Sequence, residues 1–201
     1  MSRMGIPPEM AARCLIVLVL ASTITTSIGQ ATAAAAAGAT LTPAQAFLRE
    51  RCNAVTYKDP CYNDLAPYAD SFGGSRTKVA VASATILMAK LDAFDKELQG
   101  VNVKFPGKYQ VDVCKKMVKD ATEGQRERLA RFKALEAIDD AKVTANDIAE
   151  LRKWATDTWM GYNKCDEDTE TMPDVNEVLP SYEPLGVVML NCVNLIVGIK
   201  A

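Results

Sequence analysis

The segment from Leu185 to Ile199 carries apolar residues at intervals of three and four positions along its whole length. This spacing places those side chains on one face of an α-helix. The remaining faces of the segment are also mostly apolar, so we expect a helix that is buried at the centre of the fold. Asn191 and Asn194 argue against a membrane-spanning helix, because each would bring a polar amide into the lipid.

Three more long segments show helical periodicity, and they cover approximately residues 76–98, 109–138 and 144–165. Two short helical segments precede them. Each begins where a capping residue is followed by proline, at Thr42-Pro43 and at Asp59-Pro60. No strand pattern is sustained anywhere in the sequence. We therefore predict an all-α fold, an up-and-down four-helix bundle with an N-terminal helical hairpin and two disulfides.

The first part of the sequence has the pattern of a secretory signal peptide. Arg3 and Arg13 precede an apolar run over residues 14–21, and small residues follow. The run is shorter than the about 20 residues that a membrane span requires, so we expect no membrane association after cleavage. We assign residues 1–37 to the signal peptide and an alanine-rich junction, and residues 38–201 to one helical domain. The candidate cleavage sites lie after Gly29, after Ala33 and within the alanine tract.

Cysteine usage fits an oxidising compartment. One of the six cysteines, Cys14, lies in the signal peptide; the other five are Cys52, Cys61, Cys114, Cys165 and Cys192. Sequence alone does not fix their pairing. Cys52 and Cys61 would close the shortest loop. Cys114 lies early in the second long helix and Cys165 at the end of the third, and these ends are neighbours in an antiparallel pair.

We therefore expect the disulfides Cys52–Cys61 and Cys114–Cys165. In the chain-entropy model the wider loop of about 50 residues stabilises the fold by about 4 kcal/mol, and the shorter loop of about 10 residues by about 3 kcal/mol. Cys192 is left as a free thiol. It lies in the most apolar helix without a basic neighbour, so we interpret it as a buried small hydrophobe and not as a reactive group.

The residue composition argues against several classes of function. The sequence contains no histidine, which removes the commonest general base and the commonest metal ligand. A net charge of −2 gives no basic surface for nucleic acid. The acidic run Asp166–Asp168 lacks the spacing of a calcium loop. We predict no catalytic residues, no metal site and no cofactor.

Two tryptophans lie five positions apart on the third long helix. Trp159 belongs to the apolar stripe, whereas Trp154 is expected to be partly exposed. An exposed tryptophan is a typical anchor of a protein contact, so Trp154 is a candidate for that role, with a purely structural role as the alternative.

The stretch Thr56-Tyr57 followed by Cys61 resembles the plant invertase and pectin methylesterase inhibitor family. The resemblance extends over about residues 41 to 199. It includes the order of a close and then a wide cysteine pair, a tryptophan-bearing helix that leads to Cys165, and a final apolar helix with Asn191 and Asn194. The sequence departs from the family pattern at three positions: Val113, Lys164 and the additional Cys192.

The resemblance implies a secreted protein of the plant cell wall, or of the vacuole, that blocks a partner enzyme by one-to-one steric binding over its active-site cleft. The partner would be a pectin methylesterase or an acid invertase. A Pro-Lys-Phe tripeptide that invertase-blocking members share is absent from the sequence, which favours pectin methylesterase. The alternatives are a helical carrier of an apolar ligand and a family member that has lost inhibition. The residues that would contact the partner are not predicted.

Overall fold

A computed structural model of the protein describes residues 40–104, 107–170, 179–181 and 183–199. The predicted signal peptide and Cys14 lie outside these residues. Within them the structure is helical and contains no strand. The α-helices are α1 (Pro43–Asn53), α2 (Lys58–Leu65), α3 (Ala69–Phe72), α4 (Arg76–Gly100), α5 (Lys108–Lys133), α6 (Ala145–Glu170) and α7 (Glu183–Val197). Short 3₁₀ turns lie at Ala66–Tyr68, Ala134–Ala137 and Asp140–Lys142.

The four long helices form the bundle that the sequence predicts. Each packs against two neighbours, since α4 and α6 both contact α5 and α7. Their apolar stripes meet in one large core, whose most buried side chains include Leu87, Leu98, Leu151, Trp154, Met189 and Ile196. The prediction of an all-α, up-and-down four-helix bundle is confirmed.

The N-terminal hairpin, α1 to α3, packs mainly on α4 and α7. Its apolar residues form a second, smaller core, in which Leu48, Leu65 and Phe72 meet Val79 of α4 and Leu195 of α7. The smaller core therefore joins the first helices of the domain to its last helix.

Helix α1 begins where the sequence predicts. The Thr42 hydroxyl accepts a hydrogen bond from the Gln45 N–H at 3.2 Å, and the Gln45 side chain accepts one from the Thr42 N–H at 3.0 Å. This reciprocal pair satisfies two N–H groups that the helix leaves unpaired. The turn between α3 and α4 uses Gly73 and Gly74, whose φ angles of 55° and 82° are left-handed. Glycine adopts such angles without a steric penalty.

Three helix ends differ from the prediction. Asp59 was expected to cap α2, but the helix begins at Lys58 and its N-cap residue, Tyr57, makes no side-chain cap. Pro60 then falls in the first turn, where its missing N–H has no helical partner to lose. Helix α5 ends at Lys133, before the predicted residue 138, and α6 continues past Cys165 to Glu170. No proline or glycine follows the end of α5 within three residues, whereas Pro173 lies three residues after the end of α6.

Within the described residues, none of the helices combines the length and the apolar character that crossing a membrane requires.

Candidate docking surface

Both predicted cysteine pairs lie at disulfide distance. The Cα atoms of Cys52 and Cys61 are 5.6 Å apart, and those of Cys114 and Cys165 are 4.9 Å apart. Both distances fall within the range found in disulfides. The first pair closes the connection between α1 and α2, and the second joins α5 to α6.

The short loop between Cys52 and Cys61 is held on α7 by two asparagines. Asn191 accepts a hydrogen bond from the Tyr57 N–H at 3.0 Å and donates one to the Tyr57 carbonyl at 2.8 Å. Asn194 donates to the Thr56 hydroxyl at 3.0 Å. The Tyr57 N–H and carbonyl are part-buried, so these bonds supply hydrogen-bond partners that water would otherwise provide. The loop therefore has a fixed position on the bundle.

Cys192 is buried in the main core, as the sequence predicts. Burial raises the pKa of its thiol to about 12, and a hydrogen bond with Ser83 acts more weakly in the opposite direction. A thiol with such a pKa is almost entirely protonated at neutral pH and is a poor nucleophile.

The carboxylates with lowered pKa values have structural partners. Burial acts to raise the pKa of Asp157, but hydrogen bonds and charge from Arg128 and Lys153 outweigh it and lower that pKa. Asp147 has a lowered pKa because the Thr144 hydroxyl and N–H donate to its carboxylate at 2.7 and 2.9 Å. Asp157 links α6 to α5 through Arg128, and Asp147 closes the first turn of α6 with Thr144. Among the described residues, no group of three or more His, Cys, Asp or Glu side chains could hold a metal ion.

Asp140 accepts hydrogen bonds from three different residues. It accepts from the Ser75 hydroxyl at 2.6 Å, from the Arg76 N–H at 2.7 Å and from the Thr77 N–H at 3.3 Å. Burial acts to raise its pKa, and these hydrogen bonds outweigh that effect and lower it. Asp140 thus caps the N-terminus of α4 from the α5–α6 connection, although more than 60 residues separate the two positions.

The prediction of a partly exposed Trp154 is wrong. Its side chain is fully buried, its indole N–H donates to the Gln125 carbonyl at 3.2 Å, and its ring meets Phe132 edge-on. Trp159 is half-buried. Helix α6 contacts both α5 and α7, so its buried face is wider than one stripe and includes Trp154. This residue is therefore part of the core and not a contact anchor.

The outer side of the α5–α6 pair carries an apolar strip, which we call the α5–α6 face and define by Val113, Met117, Ala121, Met160 and Gly161. The first three recur at four-residue intervals on α5 and are half-buried. The helices approach closely here, because a Cβ atom added at Gly161 would lie 3.1 Å from the Ala121 Cβ. Met160 is 63% exposed.

Charged residues border this face. Lys116 pairs with Asp120 along α5, and Lys153 pairs with Asp157 at 3.0 Å along α6. Arg128 joins the two helices through its 2.7 Å bond to Asp157. An apolar centre with a polar rim is the usual organisation of a protein–protein interface. The sequence contained a sign of this face, because residues 113, 117 and 121 form a second apolar line beside the core stripe of α5.

Comparison of this chain with protein-family models, with curated proteins and with solved structures found no match.

Proposed function

We propose that this chain is a secreted plant protein that inhibits a cell-wall pectin methylesterase by binding one to one, without a covalent step, over the active-site cleft of the enzyme. The observation that carries the proposal is the contact between the Cys52–Cys61 loop and α7. The resemblance to the inhibitor family rests separately on Thr56-Tyr57 and on Asn191 with Asn194. In the folded chain these residues form one hydrogen-bonded unit.

The proposed mechanism is steric, and a rigid binder suits it. Association costs less free energy when the binding surface is already ordered, because fewer side chains and loops lose freedom on docking. Here the two cysteine pairs at disulfide distance and the Asp140 cap all limit motion of the bundle. Inhibition then requires only that the helical surface occupies the substrate groove of the partner.

We assign the docking role to the α5–α6 face. The N-terminal hairpin packs mainly on α4 and α7, and Met160 is 63% exposed on the opposite pair of helices. Methionine is enriched at protein interfaces and adapts to irregular surfaces, since it is unbranched and polarisable. The paired charges of the rim would orient the partner without dominating the affinity.

Residual enzyme activity tests the proposal directly. The oxidised chain, produced in a secretory host, is added in increasing amounts to separate samples of pectin methylesterases and acid invertases. We expect the activity of a pectin methylesterase to fall linearly until the inhibitor is equimolar with the enzyme, and the activity of acid invertase to stay constant. Inhibition of acid invertase alone would indicate that acid invertase is the partner. Inhibition of neither enzyme would contradict the proposal.

A matched pair of substitutions tests the docking face. Met160→Lys replaces the most exposed residue of the face with a charge, and we expect it to weaken inhibition by about tenfold or more. Val197→Lys is the control, because Val197 is similarly exposed, at 55%, and lies on α7 outside the face. Equal effects of the two substitutions would exclude the α5–α6 face as the docking surface.

A further inference from the structure

Helix α7 carries a second line of residues on its outward side. The line consists of Glu183, Gly186, Leu190, Val193 and Val197, and we call it the α7 face. All five are half-buried or exposed, whereas the buried apolar residues of α7 belong to the two cores. Successive members are three, four, three and four positions apart, which is the spacing of the contact positions in a coiled coil. The α7 face therefore has the spacing that packs against another helix.

The neighbouring helices leave part of this face uncovered. Helix α7 packs mainly on α4 and α6 and also contacts α2, and the apolar residues at the centre of the face are only half-buried. The charged residues of α2 are balanced, since Lys58 is followed by Asp59, and Asp64 lies 3.5 Å from Lys90. The side of the face next to α2 therefore has no excess charge.

The two ends of the α7 face carry opposite charges. Arg152 of α6 donates to two backbone carbonyls at the end of α7, at 3.1 and 3.2 Å. Arg51 of α1 lies at the same end, because its Nη2 atom is 3.9 Å from the position of a Cβ added at Gly198. Glu183 begins α7 and is exposed at the other end. Within the ranges that the structure describes, none of these three charged side chains forms an ion pair.

Glu167 adds a second carboxylate to the acidic end. Helices α6 and α7 run antiparallel, since Arg152 meets the end of α7 and the Tyr162 hydroxyl lies 3.5 Å from the position of a Cβ added at Gly186, near its start. Glu167 follows Tyr162 by five residues and is exposed, so it lies near the start of α7. The face thus has two carboxylates at one end and two guanidinium groups at the other.

We propose that the α7 face is the contact surface of a homodimer, in which the α7 helices of two copies of this chain pack antiparallel about a twofold axis. Leu190 is the midpoint of the face and meets Leu190 of the second copy. Gly186 then lies opposite Val193, so that a small residue faces a branched one. Glu183 of each copy meets the arginines of the other, at both ends, because a twofold interface is isologous. A parallel pair is disfavoured, since it brings like charges together.

The size of the α7 face indicates a weak dimer. The helix has 15 residues and is therefore about 22 Å long. Trp159 widens the apolar area, because it is half-buried and follows Arg152 by two turns on the same side of α6. An interface of this size belongs to the class below about 1,200 Å² that forms transient complexes, so we expect a Kd of about 10 µM to 1 mM.

Dimerisation goes beyond the proposed inhibition and does not depend on it. The α7 face shares no residue with the α5–α6 face, so each copy in the dimer keeps its α5–α6 face free. Residual enzyme activity tests one proposal and molecular mass tests the other, and either can fail alone.

Sedimentation equilibrium of the oxidised chain, produced in a secretory host, tests the dimer between about 10 µM and 1 mM. We expect the mean mass to rise from that of a monomer towards that of a dimer. Arg51→Glu and Glu183→Lys each oppose like charges at both ends of the face, and each should raise the Kd by about fivefold or more. Glu127→Lys is the control, because it reverses an exposed charge on α5, and it should leave the Kd unchanged.

An equimolar mixture of the Arg51→Glu and Glu183→Lys chains tests the antiparallel arrangement. In a mixed dimer each reversed charge faces an opposite charge, so the mixture should dimerise with a Kd close to that of the unsubstituted chain. A mixture that associates no better than either variant alone would overturn the arrangement. A monomeric mass of the unsubstituted chain at about 1 mM would overturn the dimer itself.

Cysteine cross-linking locates the twofold axis. Leu190→Cys places two thiols beside each other on the axis, so mild oxidation should produce a covalent dimer. Met160→Cys is the control on the α5–α6 face, where 63% exposure favours random collisions. We expect Leu190→Cys to cross-link about tenfold faster, because the dimer raises the effective concentration of its thiols. Equal or faster cross-linking of Met160→Cys would refute an axis at Leu190.

Discussion

Asn191 forms two hydrogen bonds with the backbone of Tyr57, although 134 residues separate them in the sequence. The amide side chain matches the peptide group, since its oxygen accepts from the N–H and its nitrogen donates to the carbonyl. Asn191 is only 3% exposed. The contact thus fixes the loop between α1 and α2 on the last helix of the bundle.

Replacement of Asn191 by alanine leaves the Tyr57 N–H without its partner, whereas the Tyr57 carbonyl keeps the hydrogen bond from the Cys61 N–H at 3.0 Å. We expect a loss of about 2 kcal/mol in the free energy of unfolding, because a part-buried donor is costly when it is unsatisfied. Asn194→Ala is the matched control. It removes one exposed hydrogen bond to Thr56 and should cost below about 1 kcal/mol. Urea unfolding measures both, and equal losses would contradict the role of Asn191.

Asp140 makes the stability of the fold depend on pH in the acid range. Its pKa is lowered in the folded protein, because the hydrogen bonds from Ser75, Arg76 and Thr77 outweigh the opposing effect of burial. Such a carboxyl stabilises the fold above its unfolded-state pKa of about 3.9. The stabilisation is lost as the pH falls through the lower folded-state pKa. We expect Asp140→Asn to cost about 1 kcal/mol near pH 6, because the amide lacks the negative charge that favours a helix N-terminus, and we expect this cost to shrink as the pH falls towards 2.

Thermal unfolding followed from pH 6 to pH 2 checks this prediction. Glu127→Gln is the control, since the Glu127 side chain is 80% exposed, and its profile should overlay that of the unsubstituted protein. A difference between Asp140→Asn and the unsubstituted protein that stays constant down to pH 2 would show that the carboxylate charge does not act at the α4 N-terminus.

Cys192 should be inert in the folded protein. With a pKa raised to about 12 by burial, about one thiol in ten thousand is ionised at pH 8. We expect iodoacetamide to leave Cys192 unmodified under native conditions and to modify it in guanidinium chloride. Peptide mapping by mass spectrometry locates the label, and native modification at the rate of a free cysteine would refute the prediction.

The glycines of α5 and α6 should respond differently to alanine. Nothing lies within 4 Å of a Cβ added at Gly124, whereas one added at Gly161 would lie 3.1 Å from the Ala121 Cβ. Gly124→Ala should therefore stabilise the protein by about 0.5–1 kcal/mol, as expected for a helix interior. Gly161→Ala should show no such gain, because the two helices must separate slightly. Chemical denaturation of both variants measures the difference, and an equal gain would show that the α5–α6 contact is not tight.

The helical bundle could be predicted from the sequence because its cause is local. The interval between apolar residues in Leu185–Ile199 matches the turn of a helix, so one segment reveals both its secondary structure and its buried face. The start of α1 at Thr42-Pro43 is also a local feature, and the sequence predicts it. The pair Cys114–Cys165 joins two distant segments, and it could be expected because an antiparallel arrangement brings the start of one helix near the end of the next.

Other features that depend on two distant segments were not predicted. The burial of Trp154 depends on the Gln125 carbonyl and on Phe132, which lie on another helix. The cap of α4 depends on Asp140, from a connection more than 60 residues further along. No local pattern in the sequence indicates which of these distant residues come into contact.

The attachment of the hairpin to α7 has a consequence for the order of events during synthesis. The ribosome releases α1, α2 and α3 well before it makes Asn191, Asn194 and Leu195. Until those residues emerge, the hairpin can pack on α4 but lacks its contacts with α7. The hairpin is thus translated first but completes its packing last. In a nascent chain that is arrested before α7, the hairpin will be exposed to proteases.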